Sequence, residues 1–337
     1  MKKFSVIIPA YNCAKIIENT ICSILASGLA DFEIIIVDDG STDETGKICD
    51  EMARQHGCIR CVHQENAGVS AARNRGIKEA TGEYIWFFDA DDSIDENALS
   101  RVVEIIDDVV PDVLVFGMEF DYYHDGKIYR RDELLPPVEG NKSIKECNEM
   151  LYELFYSNAL SSLCSRIIKK SIIEQAEICL REDMFLYEDL EFSLRVLAQC
   201  NNIFFVRESI YKYHQSEDEG SAGRRLKRIP HIPELIEKIE KPLADARDKD
   251  RILLSLYLTL AREKISASTK EEISVVCSDF KEWINKMGLF SKIEQREYPM
   301  MIYNGQVSKL IARREYTKLR HGVANWIKQN IGDFRKW

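Results

Sequence analysis

Residues 32–45, FEIIIVDDGSTDET, decide the fold. An unbroken β-branched run, Ile34 to Val37, ends in two adjacent carboxylates, Asp38 and Asp39, and then in Gly40, Ser41 and Thr42. A continuous apolar run of this length, closed by turn residues, reads as a strand buried on both faces. The design recurs at residues 83–93, EYIWFFDADDS, where an aromatic run ends in Asp89, Asp91 and Asp92. Carboxylates this close repel one another unless a cation or hydrogen-bond donors hold them, so each cluster costs stability without a ligand. In open α/β sheets ligands sit beyond the carboxyl ends of the strands. A metal-bound, phosphate-bearing ligand answers both clusters at once.

Outward from these two stretches, further strands are expected at 4–9, 59–63 and 112–117, with helices between. Strand–helix alternation with short connections implies an α/β fold with a mostly parallel sheet covered on both faces. Ser41 or Thr42 is placed to cap one helix, with Glu44 and Thr45 in its first turn. Gly68-Val69-Ser70 precedes another, AARNRGIKEA, which stops at Thr81-Gly82. Residues 118–142 read as an irregular hairpin about Asp125-Gly126, and helical patterns resume near 143–157. Glu188 and Asp189 open a helix whose inward positions are Leu190, Leu194, Val196 and Leu197. Short strands are expected at 203–206 and 209–213, followed by a polar loop, QSEDEGSAGR, at 215–224. From about residue 231 the pattern is helical only. The expected division is therefore a catalytic domain over 1–225 and a helical region over 231–337.

With 337 residues, 45% hydrophobic and 30% charged, the chain is long enough for one large or two modest globular domains. No stretch approaches the roughly 18 consecutive apolar residues of a membrane span. The opening MKKFSVIIPAYN is too short in its apolar part for a signal peptide, so a cytoplasmic location is expected. Ten cysteines are scattered along it, with one CxxC, Cys58 and Cys61, and no second pair to complete a zinc site. CIRCVH reads as a strand rather than the helix opening of a redox motif, so reduced, buried thiols are expected. Net charge is −10, unevenly spread: residues 222–337 hold 24 Lys and Arg against 15 Asp and Glu, and residues 1–221 hold 22 against 41. The acidic first part argues against nucleic acid. In the basic tail, Val307, Leu310, Ile311, Leu319, Val323, Trp326, Ile327 and Phe334 recur at helical spacing among lysines and arginines. Such a helix suits the inner face of an anionic membrane. Packing on the catalytic domain, or a homodimer contact, is the plainer alternative.

Five stretches, PAYN at 9–12, VDDGSTDET at 37–45, QENAGVSAARNRG at 64–76, FFDADD at 87–92 and YED at 187–189, resemble the family 2 glycosyltransferases in order and spacing. The resemblance covers about residues 3–221. It implies the GT-A fold and transfer of a sugar, with inversion, from a nucleoside diphosphate donor. By resemblance Asp39 accepts the N3–H of uracil, and thymine presents the same edge, so a UDP-sugar is expected and a dTDP-sugar remains open. Pro9, Tyr11 and Asn12 belong to the donor site, the first two as the wall for base and ribose. Asp38 belongs to the donor site too, although it or Asp39 could instead serve only as an N-terminal helix cap with Ser41. Asn66 and Gly68 let backbone amides approach the donor, and Arg73 forks onto diphosphate oxygens. Asp89 and Asp91 match the DxD that holds Mg²⁺ or Mn²⁺, with Asp91 the direct ligand and Asp89 on the ribose or a bound water. Asp92 supports the metal or caps a helix over 95–106. His214 is a candidate for metal or phosphate. Asp189 matches the general base, with Glu188 the alternative.

The QxxRW of processive members is absent, which favours single-sugar transfer onto a glycan or lipid-linked acceptor. The acidic QSEDEGSAG departs from the short basic lid, and SSLCSRIIKKSII at 161–173 is divergent where the acceptor is expected. Two other readings share the motifs. FFDADDS resembles the DxDx[TV] of aspartyl-phosphate phosphatases with Ser93 at the last position, although that motif belongs on a first strand. A non-catalytic sugar-nucleotide-binding scaffold would keep every residue named above.

Overall fold

The isoleucines and valines that dominate the first strands are buried from both sides, as an inner parallel sheet requires. Strands β1 (Phe4–Ala10), β2 (Phe32–Asp39), β3 (Ile59–Gln64) and β4 (Tyr84–Phe87) lie parallel in the order β3-β2-β1-β4. Val6, Ile7, Ile8 and every residue from Ile34 to Val37 are fully buried. The computed structural model describes residues 2–27, 31–96, 98–216, 231–310 and 312–313.

Helices α1 (Ile17–Leu25), α2 (Thr45–Gln55) and α3 (Val69–Glu79) make the crossovers. Gly76 is what lets α3 lie so close to β1. A Cβ built there would stand 2.2 Å from Ile7 Cγ2, an impossible approach. Gly76→Ala is therefore expected to destabilise the protein by about 1–3 kcal/mol through overpacking, read as a lower denaturation midpoint.

The second half of the sheet is mixed rather than parallel throughout. After the short β5 (Ser93–Ile94) and helix α4 (Ser100–Val109), strand β6 (Val113–His124) turns through Asp125 and Gly126 into β7 (Lys127–Leu134). Both turn residues have positive φ, 49° and 70°, the conformation of a two-residue type I′ hairpin. Then come β8 (Gly140–Ser143), two short helices α5 (Ile144–Glu149) and α6 (Leu151–Tyr156), and β9 (Arg166–Lys169). Strand β9 lies between β4 and β6, antiparallel to both. It falls inside SSLCSRIIKKSII, where sequence gave no strand. Helices α7 (Lys170–Gln175) and α8 (Glu188–Leu197) lead to β10 (Asn202–Ser216), parallel to β6. The two strands expected at 203–206 and 209–213 are one strand, broken only by irregularities in register around Ser209.

Two helix starts differ from expectation. Helix α2 begins at Thr45, and the Asp43 side chain receives the Thr45 N–H, so neither Ser41 nor Thr42 caps it. Helix α4 begins at Ser100 rather than 95, too far along the chain for Asp92 to cap it.

The chain divides into two compact units, one within Met1–Gly220 plus Pro242–Asp248, the other within Ser221–Lys241 plus Lys249–Trp337. The second is built on helices Ile232–Glu240, Lys249–Ala267, Lys270–Met287 and Glu297–Tyr303. Its core is aromatic: Tyr257 lies 4.6 Å from Trp283 and 5.1 Å from Phe280, ring centre to ring centre. Among the described residues no helix is long and apolar enough to cross a membrane. The tail sequence from 314 onward, which carries most of the membrane reading, and loop residues 217–224 lie outside the described residues.

Candidate functional site

Register brings the motifs together. Ala10 pairs with Asp38, Asp38 with His63, Asp39 with Gln64, and Ile7 with Phe87. PAYN, VDD, QEN and DADD therefore leave the sheet at one edge, beyond the carboxyl ends of four parallel strands. Asn12, at φ 49°, joins the first of these loops to the second. Its side-chain oxygen accepts the Thr42 N–H at 2.8 Å, and its own N–H donates to Ser41 Oγ at 3.0 Å. That use of Ser41 and Thr42 is why they do not cap α2. Tyr11 is 52% exposed and Pro9 half-buried, both at the rim.

Asp39 is 3% exposed. Its Oδ1 accepts from Gln64 Nε2 at 2.7 Å and the Ala67 N–H at 2.9 Å, and its Oδ2 accepts the Gly68 N–H at 2.8 Å. Asn66 Nδ2 donates to the Asp39 carbonyl at 2.9 Å. A carboxylate has about four acceptor positions, so three are filled by the turn it shapes and one is left for a ligand N–H. Gly40, at φ 71°, is required beside it, since a Cβ would lie 2.7 Å from the Asn66 nitrogen. Both Asp38 oxygens are taken within the fold, Oδ1 by the Ser41 N–H at 3.1 Å and Oδ2 by His63 Nδ1 at 2.9 Å. Asp38 thus anchors the turn that precedes α2 and is not a cap of that helix, which begins at Thr45.

At the centre lies Arg73. Its side chain is 5% exposed, and its two terminal nitrogens go to different carboxylates, Nη2 to Asp89 Oδ1 and Nη1 to Asp189 Oδ1, each at 2.9 Å. The fork expected on diphosphate oxygens thus joins the DADD and YED motifs instead. Ser70 Oγ and Arg73 Nε, one turn apart on α3, are buried without a partner among the described residues. Buried donors of that kind carry a cost unless something accepts from them. The neighbouring Asn74 ties down the segment that leads to YED. Its side chain exchanges two hydrogen bonds with the Leu180 backbone, at 2.8 and 2.9 Å, and donates to Glu182 at 3.1 Å. Asn74 is a residue that sequence reading missed, since its partners lie more than 100 residues downstream.

Tyr187 stands at φ 60°, costly for a bulky side chain, and turns the chain into α8, whose first turn carries Glu188 and Asp189. Burial raises the Asp189 carboxyl above the ordinary aspartate value, and the Arg73 charge opposes that rise. A second buried cation, Arg166 on β9, adds to the opposing field while donating to the Ser162 and Ala159 carbonyls, each at 2.8 Å. Burial lowers this guanidinium to about 10.

Asp92 is a scaffold for the cluster rather than a helix cap. Tyr211 Oη donates to its Oδ2 at 2.5 Å, the His214 N–H donates to its Oδ1 at 3.0 Å, and the Asp89 N–H donates to Tyr211 Oη at 3.1 Å. Burial, and then the charges of Asp89 and Asp91, push the Asp92 carboxyl up to about 9. The His214 imidazole meets Ser93 Oγ at 2.7 Å and Tyr123 Oη at 3.3 Å, so both ring nitrogens already have side-chain partners. That placement weakens its candidacy for metal or phosphate. Tyr211 gave no signal in sequence, because its partners lie about 120 residues earlier.

Mg²⁺ and Mn²⁺ take one or two carboxylates and fill the remaining positions with phosphate oxygens and water. Asp91 is exposed and Asp89 is 30% exposed with Oδ1 on Arg73, so the donor set fits such an ion with Asp91 leading.

The sequence model of Glycosyl transferase family 2 matches residues 5–175. The chain is 31% identical over 214 residues to "Uncharacterized glycosyltransferase EpsJ" of Bacillus subtilis (strain 168), a match covering 63% of this chain and 61% of that one. It is 28% identical over 219 residues to "Cholesterol galactosyltransferase" of Borreliella burgdorferi, covering 63% and 60%. The chain thus spans about three-fifths of the length of these two curated relatives. Among solved structures, S. aureus TarS 1–349 in complex with UDP-GlcNAc has a TM-score of 0.63 at 20% identity, covering 94% of this chain and 92% of that one. That likeness is one of fold, the GT-A arrangement expected from the five motifs.

Proposed function

Because this chain belongs to glycosyl transferase family 2, we propose that it moves a single sugar, with inversion, from a nucleoside diphosphate donor to an acceptor hydroxyl. The observation that carries this reading is the Asp89–Arg73–Asp189 bridge, which unites a DxD with a carboxylate 116 residues away from Arg73. Inversion needs a base on the face opposite the departing diphosphate. Asp189 supplies it, on a separate element from the DxD and with a carboxyl that burial makes more basic. Asp91, helped by Asp89, would hold Mg²⁺ or Mn²⁺, which offsets the charge that develops on the leaving diphosphate. Asp39, with its remaining acceptor position, reads the base edge, and Tyr11 and Pro9 pack against it. UDP is the expected nucleotide, in keeping with the UDP-GlcNAc bound by the TarS structure. The acceptor expected is a glycan or a lipid-linked sugar; the Borreliella relative, a cholesterol galactosyltransferase by name, uses a lipid hydroxyl.

The test is thermal stabilisation by UDP-, dTDP- and GDP-sugars, each with and without Mn²⁺. One UDP-sugar is expected to raise the melting temperature, more so with Mn²⁺, by the equivalent of about 2–3 kcal/mol at a hundredfold excess over Kd. Asp91→Ala is expected to lose the Mn²⁺-dependent part. Stabilisation by none of the donors would overturn the proposal.

A further inference from the structure

A second cluster of ligand-bearing side chains lies at the sheet edge occupied by β3, with two strands between it and β4 and its DADD motif. Cys61 and His63 alternate along β3 and so share one of its faces. Asp50 on α2 reaches the same point, and its carboxylate, the Cys61 sulfur and the His63 imidazole all lie within 4.8 Å of one another. His63 Nε2 stands 3.1 Å from Asp50 Oδ1 and 3.6 Å from Cys61 Sγ. Ligands on a tetrahedral zinc ion, with bonds of about 2.0 Å to nitrogen or oxygen and about 2.3 Å to sulfur, stand about 3.3 Å (N···O) and about 3.6 Å (N···S) apart. The two distances from His63 match a first coordination sphere, and the third pair, Asp50 and Cys61, lies within 4.8 Å.

The other face of the imidazole is built to match. Nδ1 lies 2.9 Å from Asp38 Oδ2, and a hydrogen bond there keeps a proton on Nδ1, so that Nε2 is the nitrogen a metal ion would take. A carboxylate behind a histidine in this way orients the ring and raises its basicity as a ligand. Nε2 in turn faces Asp50 Oδ1, a gap that either an imidazolium proton or a metal ion in its place can bridge. Gly46 admits the pair beneath α2: a Cβ there would stand 2.9 Å from Asp38 Oδ2 and 3.4 Å from His63 Cε1. Imidazole, thiolate and carboxylate together suit zinc rather than the all-oxygen sets of Mg²⁺ and Mn²⁺.

We propose that Asp50, Cys61 and His63, with water in the fourth position and Asp38 behind the histidine, form a zinc-class site that staples α2 to edge strand β3. The proposal does not rest on sugar transfer. The DADD site offers only oxygens, so a thiolate signature separates the two.

The test is titration of chelator-treated full-length protein with Co²⁺, followed by absorption. The expected result is a tetrahedral visible spectrum and a thiolate-to-cobalt charge-transfer band that saturate together and are displaced by Zn²⁺. Cys61→Ser is expected to abolish the band. Asp50→Asn, at a side chain 53% exposed whose replacement leaves the fold intact, is expected to weaken Co²⁺ binding by about tenfold or more. Cys58→Ser is expected to leave both features unchanged. A purely octahedral spectrum in the wild-type chain, or a charge-transfer band that survives Cys61→Ser, would overturn the site.

Discussion

Asp189→Asn is expected to lower kcat/KM for sugar transfer by about 10²–10⁴-fold, the usual contribution of a positioned base, while donor binding stays near that of the parent protein. Asparagine keeps the shape and the contact with Arg73 Nη1 through its carbonyl oxygen, but it cannot take the acceptor proton. Glu188→Gln is expected to change the rate by about tenfold at most. If the two results are exchanged, the base is Glu188. The pH profile gives a second check. Burial raises the Asp189 carboxyl and Arg73 opposes the rise, so its net value lies above that of an ordinary aspartate. A base works only when ionised, so activity falls as pH drops through that raised value. The acid limb is therefore expected above the ordinary aspartate range, and absent from the residual activity of Asp189→Asn.

Arg73→Met is expected to be the most destabilising single change in the site. It removes a 5% exposed guanidinium from between two carboxylates and leaves both without their partner. Breaking a buried ionic group costs about 3–5 kcal/mol. Asp89 and Asp189 are 30% and 22% exposed and draw some water, so about 3 kcal/mol is the expected loss. Urea denaturation checks it through a lower midpoint at constant slope. Arg73→Lys is expected to recover only part, since one ammonium does not span two carboxylates as a planar fork does. Adding Asp189→Asn to Arg73→Met removes one of the stranded charges. The double variant is therefore expected to be more stable than the sum of the single changes predicts. Simple additivity would mean that the bridge contributes nothing as a unit.

These expectations show where the sequence could be read and where it could not. The runs Ile34–Val37 and Tyr84–Phe88 announced buried strands, and the acids that follow them announced a site, because both signals lie within a dozen residues. Strand β9 was missed because four residues, Arg166–Lys169, form a strand only by filling a place between β4 and β6. Asp92 looked like a helix cap because its partners, Tyr211 and the His214 N–H, lie about 120 residues downstream. Arg73 looked like a ligand-facing arginine for the same reason, since Asp189 is out of reach of any local pattern. Residue type was legible at each of these positions, and partnership was not. The cysteines carry a similar lesson. A search for paired CxxC motifs discards Cys61, whereas alternation along β3 sets it beside His63. Nor are the thiols uniformly buried as expected: all ten are free, but Cys22 and Cys179 are exposed and Cys61 is half-buried.

The place of β9 has a consequence for how the protein is made. A ribosome delivers β1 to β4 first and β6 well before residues 166–169. Until those residues emerge, the outer edge of β4 has no partner, and neither does the edge of β6 that β9 later covers. Bare strand edges in a half-finished sheet invite pairing with other nascent chains. Because the strand that closes the sheet comes late, a chain interrupted before residue 169 is not a smaller enzyme. It is a sticky template, and the sheet is complete only once β9 and, later still, β10 have been translated.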